Sequence, residues 1–488
     1  MIIEVSKKQD YIFSKKKLKE NVECSNIINY VTSNEFFTKE ASKYYSTKEN
    51  FIYSGGGHTV LQFNDRNTAI NFAKTITEFT MVNFDGLELF VKQINYDNTK
   101  SPSENFLTLS QELEKKKSLR KTGFKRFDFG FEKIEEEIKN NNVNFNKTIS
   151  APYNYTFPND FSDFADDENF IAVVHIDGNA MGKRVESIYG ASSDFNTCCE
   201  KIKRFSECIQ SDFETAFNNT VLKIIDTYKI ENNILPIRLV ILAGDDVCFV
   251  SSGNIGLECA RIFLENLSNL VNSEDKLPYS ACAGVAIVKL KYPFHKAYDL
   301  SEELCSNAKK YGFSLDENSR VSAMDWHIEF NQIKDNLSAI REEYITDNGA
   351  YLNLRPVSVV IPDKSVDKNS ICLERTYEFF NKLCKAMQGE YGKVARGKIK
   401  QMRQALKQGE EESKYYIKYK NIEDILYNFF DSKYFEKDLR YKKYYIKLKN
   451  KEGIEKETFV NIDDEKRCVF FDAIEMIDYY TVLEEVDL

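Results

Sequence analysis

The sequence has no excess of basic charge, no cysteine pair at zinc-ribbon spacing, no long apolar run and a single tryptophan. Each absence excludes something. The 67 basic and 76 acidic residues leave a net charge of −9, so no global positive field announces nucleic acid, although local patches stay open. None of the eleven cysteines stands in a C-x-x-C, and Cys198-Cys199 is the one close pair, which argues against a zinc ribbon. Scattered free thiols point to a reducing cytoplasm. No uninterrupted apolar run is long enough to span a bilayer, and Met1-Ile2-Ile3-Glu4-Val5-Ser6-Lys7-Lys8 lacks the apolar core of a signal peptide. No nucleophile-elbow pattern supports a Ser/His/Asp hydrolase. His295 and His327 lack ligand spacing. A length of 488 residues suffices for three or four domains. The expectation is a soluble, cytoplasmic protein with no membrane partner.

What the chain does have is carboxylates at the ends of apolar strands. Ile241-Leu242-Ala243-Gly244-Asp245-Asp246-Val247-Cys248-Phe249-Val250 reads as a hairpin. Gly244 gives the turn its backbone freedom, and the two carboxylates sit at the tip. Adjacent carboxylates repel, so a fold that keeps them together usually neutralises them with a cation. An ordinary Asp-containing turn is the competing reading. Upstream, Ile171-Ala172-Val173-Val174-His175-Ile176-Asp177-Gly178-Asn179-Ala180-Met181-Gly182-Lys183 is a buried strand that ends in a carboxylate, turns at a glycine and enters a helix. Oxygen ligands from two elements suit Mg²⁺ carrying nucleotide phosphates. The turn from Gly178 to Lys183 offers backbone N–H groups at a helix start, where phosphates bind. His175, inside the apolar strand, reads as a core histidine, and His58 as turn decoration.

In chain order, residues 2–5 read as a strand and 14–45 as helical. Residues 51–63 form a strand, a Gly-rich turn and a strand. Residues 67–82 make an amphipathic helix with Ala69, Phe72, Ala73 and Ile76 on one face, and 87–94 a strand. This is the β-α-β-β-α-β ferredoxin-like order. Residues 168–313 repeat it, with strands at 170–177, 237–243, 247–250 and 279–289 and helices at 195–229, 256–271 and 295–311. Aligning the hairpins sets Gly55-Gly56-Gly57-His58 against Ala243-Gly244-Asp245-Asp246, and the first strand shows Ser6 or Lys7 near the position of Asp177. One copy therefore keeps its acidic set and the other has lost it. Residues 96–165 are polar, and their basic run at 115–121 and 125–126 reads as a solvated face or loop rather than an RNA contact. Residues 314–362 read as a transition segment. From Thr376 the chain is helical and basic (Lys393, Arg396, Lys398, Lys400, Arg403, Lys407). That stretch suits either a phosphate-tracking surface or a bundle with a solvated Lys face.

These residues resemble the large palm-domain subunit of type III CRISPR effector complexes, nearest its Cmr-type version. The likeness lies in the opening Gln9-Asp10-Tyr11-Ile12-Phe13-Ser14-Lys15-Lys16-Lys17-Leu18 and the glycine hairpin Ser54-Gly55-Gly56-Gly57. It continues in His175–Gly182 with Ala243-Gly244-Asp245-Asp246, where the family reads Gly-Gly-Asp-Asp. Ala283-Gly284-Val285-Ala286 through Pro293 and Ala308-Lys309-Lys310 resembles the end of that unit, and the tail at 396–409 resembles the family's C-terminal domain.

The resemblance implies an α+β protein with two ferredoxin-like palm domains and a helical C-terminal domain. Its parts would be a degenerate palm at 1–97, a connector at 98–166, a catalytic palm at 167–330 and a mainly helical domain at 331–488. It further implies an enzyme, a nucleotidyltransferase that joins ATP into cyclic oligoadenylate in antiviral defence. Asp177, Asp245 and Asp246 would be catalytic. These three and Ile176 would hold Mg²⁺ or Mn²⁺. Gly178, Asn179, Gly182, Lys183, Gly244, Lys309 and Lys310 would bind the nucleotide. Guide RNA, target RNA and other effector subunits are the implied partners. A chain that opens with the first palm is expected to lack the family's His-Asp nuclease domain and its DNA cleavage, and no zinc-binding Cys cluster sits between the palms. The other readings are a stand-alone diguanylate-cyclase-like synthase acting on GTP and a non-catalytic scaffold of an RNA-guided complex.

Overall fold

The computed structural model describes residues 1–119, 149–164, 169–192, 194–330, 336–362, 371–422, 425–426, 429, 433–436 and 458–484. Its first sheet comprises β1 (Ile2–Val5), β2 (Phe51–Gly55), β3 (His58–Leu61) and β4 (Leu89–Lys92), antiparallel in the order β2-β3-β1-β4. That is the ferredoxin-like order. The expected helical stretch after β1 is broken into α1 (Lys8–Ile12), α2 (Leu18–Val31), α3 (Asn34–Glu40) and α4 (Thr47–Asn50). Ser33 makes one of the breaks: its side chain accepts from Phe36 N and starts α3. Helix α5 (Arg66–Asn83) is capped by Asp65 and buries Ala69, Phe72 and Ile76, the face its periodicity predicts.

The stretch expected as a connector contains α6 (Pro102–Leu119), which packs on β4 and β1. The described part of the basic run ends this helix. Lys115 pairs with Glu112, Lys117 with Glu114 and Glu4, and Lys116 donates to the Val91 carbonyl. Residues 120–126 of the run and the mixed-charge helix expected at 131–140 lie outside the described residues.

The second sheet has six strands in the order β10-β9-β8-β5-β7-β6. Four of them, β5 (Phe170–Gly178), β6 (Ile237–Ala243), β7 (Asp246–Ser252) and β8 (Ala281–Lys289), repeat the ferredoxin-like order. The transition segment supplies the other two. β9 (Ser322–Ile328) pairs parallel to β8, and β10 (Val357–Val360) pairs antiparallel to β9. Helices α7 (Met181–Gly190), α8 (Phe195–Thr227), α9 (Gly256–Ser268) and α10 (Phe294–Leu315) accompany the sheet. The small residues of β8 have a packing reason. A Cβ on Gly284 would lie 1.9 Å from the Ser301 carbonyl oxygen and 2.3 Å from Cys305 N, so α10 lies directly against the strand.

The C-terminal region includes α11 (Leu337–Glu342), α12 (Tyr377–Gln388), α13 (Glu390–Gln408), α14 (Glu410–Lys420), the hairpin of Phe459–Ile462 with Glu465–Cys468, and a short helix Phe471–Met476. Its basic row is largely spent on internal partners. Arg396 and Lys400 pair with Asp478, Arg403 pairs with Glu475, and Lys398 donates to the Lys420 carbonyl. The Lys393 side chain and the Lys- and Tyr-rich stretch at 437–449 lie outside the described residues. All eleven cysteines are free. Among the described residues, no helix is long and apolar enough to cross a membrane.

Candidate functional site

The acidic residues meet because of strand register. β5 and β7 pair with Asp177 opposite Asp246, and Ala243 opposite Asp246 closes the β6–β7 hairpin. Gly244, at φ 70°, makes the turn and donates its N–H to Gln210 Oε1 at 2.8 Å. Gly178 N donates to the Asp245 carbonyl at 3.2 Å. Residue 178 must be glycine for space: a Cβ there would stand 2.8 Å from Asp245 Cβ. Asp177 and Asp246 keep 40% and 38% of their side-chain surface, so a ligand can reach them.

Charge is unbalanced here. Desolvation and then the charge of Asp177 push Asp245 up to about 6 and Asp246 up to about 7; Lys8 opposes the second shift. Asp246 Oδ1 has no hydrogen-bond partner. His175 Nδ1 lies 3.7 Å from it, too far for a bond, and burial lowers the pKa of that histidine. It is a core histidine, as its strand position predicted. Lys309 on α10 reaches Asp177 Oδ2 at 2.5 Å and the Gly178 carbonyl at 3.0 Å. Burial works to lower the Lys309 ammonium, but Asp177 more than offsets it and its pKa ends raised.

The structure sorts the residues singled out from sequence. Asp177, Asp245, Asp246, Gly178, Gly244 and Lys309 come together. Asn179 turns inward, donating from Nδ2 to the Val321 carbonyl at 3.1 Å. Gly182 faces open space at the start of α7, and Lys183 is exposed, with its ammonium 5.8 Å from the Phe313 ring. Lys310 lines a separate recess of about 270 Å³ with Glu303, Asn307 and Arg341. Ile176 is wholly buried, so it has only a backbone carbonyl to offer.

The expected metal cage is not closed. Among the described residues, no group of three or more His, Cys, Asp or Glu is arranged to hold an ion. Lys309 occupies Asp177 instead. In donor chemistry the site does fit a divalent cation, with hard carboxylate oxygens from three residues, one of the oxygens unpartnered.

The first unit repeats the hairpin register and backbone contacts of this frame. Gly55 opposite His58 closes its hairpin, as Ala243 opposite Asp246 does. Val5 N donates to the Gly57 carbonyl at 3.1 Å, matching Gly178 N to Asp245. Ser6 N to the Glu88 carbonyl matches Asn179 N to the Ser280 carbonyl, both at 2.8 Å. Lys7 and Ala180 are both left-handed, at φ 48° and 56°. The hairpin alignment from sequence therefore stands, but the counterpart of Asp177 is neither Ser6 nor Lys7. It is Glu4, which faces His58 as Asp177 faces Asp246. Lys117 pairs with Glu4 at 2.8 Å, as Lys309 pairs with Asp177. Counting back from the helix start, where the two chains agree, would have found Glu4.

The sequence reading also missed Lys8, the counterpart of Met181. Its ammonium donates to the Gly56 carbonyl. With Gln9, Asn29, Gly57, Asp246 and Tyr298 it lines a cavity of about 410 Å³ between the two units. Phe13 packs on Tyr298 at 4.2 Å, and Gln9 Nε2 donates to Tyr298 OH and Glu302, so the start of the chain is fastened to α10.

Two ferredoxin-like palms, with carboxylates at the paired ends of β5 and β7 in one, define the palm fold of nucleotide cyclases and polymerases. Residues 170–315 match the family described as Cas10/Cmr2, second palm domain, so the chain carries a Cas10-type second palm, as its motifs suggested. No curated protein matches the chain. Solved structures that resemble it include the Csm1–Csm4 cassette in complex with cA4, at 14% identity and a TM-score of 0.45, covering 64% of this chain and 52% of that one. The same cassette with one ATP gives the same identity and score, covering 64% and 53%. The chain thus spans about half the length of the solved chains that it resembles.

Proposed function

We propose that this chain is a nucleotidyltransferase that joins ATP into cyclic oligoadenylate. The observation that carries the reading is the convergence of Asp177, Asp245 and Asp246 at one accessible strand edge inside a Cas10-type palm. The reaction is attack of a ribose hydroxyl on the α-phosphate of a bound ATP, with pyrophosphate leaving. Asp177, Asp245 and Asp246 would hold divalent cations (Mg²⁺ or Mn²⁺). Such ions, when bound, acidify the attacking hydroxyl and neutralise the leaving pyrophosphate. Lys309 stands where it can exchange Asp177 for a phosphate oxygen once a cation takes the carboxylate. The first-turn N–H groups of α7, which the N-cap residue Ala180 does not cap with a side chain, suit a triphosphate. Lys183 is an exposed cation at the same helix start. Target RNA, guide RNA and neighbouring effector subunits are the proposed partners.

The test is incubation of the purified protein with each labelled nucleotide and Mg²⁺ or Mn²⁺, with and without target RNA, and products read by mass spectrometry. Cyclic or linear oligoadenylate that disappears in Asp245→Ala/Asp246→Ala supports the reading. Normal product from a folded double variant sinks it. Product from GTP alone would favour the diguanylate-cyclase-like alternative, and no product under any condition a scaffold.

A further inference from the structure

The first palm has an uncovered face on the side away from the carboxylate edge of the second. In the second palm, β9 pairs with the outer edge of β8, and β10 reaches helix α9. The equivalent place in the first palm lies between α5 and the outer edge of β4. The first sheet ends at β4, so no strand covers that place among the described residues. A groove of about 630 Å³ lies there instead. Ile70, Met81 and Val82 line its α5 wall with 41%, 45% and 77% of their surface exposed. Large apolar side chains gathered on one outer helix face mark a contact surface.

The edge and the charges of the groove narrow what fits it. Lys116 donates to the Val91 carbonyl of β4 at 2.7 Å. A lysine at an edge strand blunts it against an added strand, so the occupant is a helix. The exposed stripe of α5 runs Ile70, Lys74, Thr77, Met81, at steps of four, three and four residues. That is the spacing of a seam between two packed helices. Lys74 and Glu78 both line the groove, and neither forms an ion pair with a described residue. A two-fold axis at the level of Thr75 and Ile76 reads the stripe alike from both ends. It sets Ile70 against Met81 of a second copy and Lys74 against Glu78 of that copy.

We propose that the first palm is a dimerisation surface, on which α5 packs antiparallel to α5 of a second copy of this chain. Ile70 and Met81 form the apolar layers, and Lys74 pairs with Glu78 across the axis. The inverted order of the two charges selects a second copy, because each α5 carries the complement of its own pattern. The inference does not depend on nucleotidyl transfer.

The test is sedimentation of the full chain from about 1 to about 100 μM, the range suited to a small interface. A monomer–dimer equilibrium is expected, and Met81→Glu should raise its dissociation constant at least about tenfold. Lys74→Glu and Glu78→Lys should each weaken the dimer as much, since like charges then face each other across the axis. Mixed together, these two single variants should associate again, because every contact between positions 74 and 78 is once more opposite in sign. A folding defect could not produce that recovery. A chain that stays monomeric to about 100 μM overturns the proposal. So does a dimer that survives Met81→Glu, or a pair of charge variants that fails to associate when mixed. A monomer that takes up another effector subunit through Met81 would assign the face to that subunit and also overturn it.

Discussion

The two palms share a backbone frame, and three of the side chains on it separate their carboxylate sites. Glu4 and Asp177 stand at the same place on the first strand, each held by a lysine from the helix that follows the fourth strand. At the hairpin, Gly57 and His58 replace Asp245 and Asp246. The lysine pair shows what a single strand carboxylate does by itself: it finds an internal cation and stops there. In the second palm two more carboxylates crowd the same spot, and one lysine cannot neutralise three charges. Burial first, and then the charge of Asp177, raise the pKa of Asp245 and Asp246. In the first palm the half-buried His58 is instead held neutral, its pKa lowered by desolvation to about 4. The difference between a closed ion pair and a candidate ion site is thus two residues of a turn.

Substitution of the paired positions is the sharpest way to break this comparison. Asp177→Asn should lower product formation by more than about 100-fold, whereas Glu4→Gln should leave it within about twofold. Equal losses would show that the first palm does chemistry too. Next come the lysines. Lys309→Ala should reduce turnover by about 10- to 100-fold and raise the ATP concentration needed, while Lys117→Ala changes neither by more than about twofold. A smaller loss is expected from Gly178→Ala, whose new Cβ must displace Asp245: roughly tenfold in turnover, with the melting temperature little changed.

The smallest effect is on stability against pH. Carboxyls with raised folded pKa values stabilise the fold most when protonated, below the ordinary carboxylate range, and lose that contribution as pH rises through about 6 and about 7. In chelator, the melting temperature should therefore fall across this window by an amount on the order of 1 °C, because the site is partly solvated. Asp246→Asn should flatten the fall, and Mg²⁺ should reverse it at high pH. An unchanged slope in Asp246→Asn would place the surplus charge elsewhere.

Much of this was legible because the signals were local. The apolar strand ending in Asp177 and the Gly-Asp-Asp hairpin announce their own geometry, and the register that joins them follows from the ferredoxin-like order. What could not be read depends on three-dimensional partners. Nothing in 102–119 alone says that its lysine would clamp Glu4, and its mixed charge hid the helix. β9 was missed because Ser322-Ala323-Met324-Asp325-Trp326-His327-Ile328 is buried throughout and shows no alternation. Its Asp325 is satisfied by Arg341 and Asn307, which come from other elements. Lys309 and Lys310 are neighbours in sequence, and only the packing of α10 decides which one reaches the carboxylates.

The strands β9 and β10 carry a further consequence. Trp326 of β9 is fully buried, with its ring 4.8 Å from Phe380 and the Arg355 guanidinium over its face at 5.2 Å. Glu258, on palm helix α9, accepts from Tyr377, Tyr480 and the backbone of Leu483. The last strands of the palm and the helices beyond them are therefore one folding unit. A chain cut after Ile328 would uncover the Trp326 indole and take three donors from Glu258, leaving it Arg261 of its own helix. In evolutionary terms, the C-terminal helices are not an accessory that can be exchanged freely, because part of the sheet that carries Asp177 and Asp246 is built from the segment that leads into them.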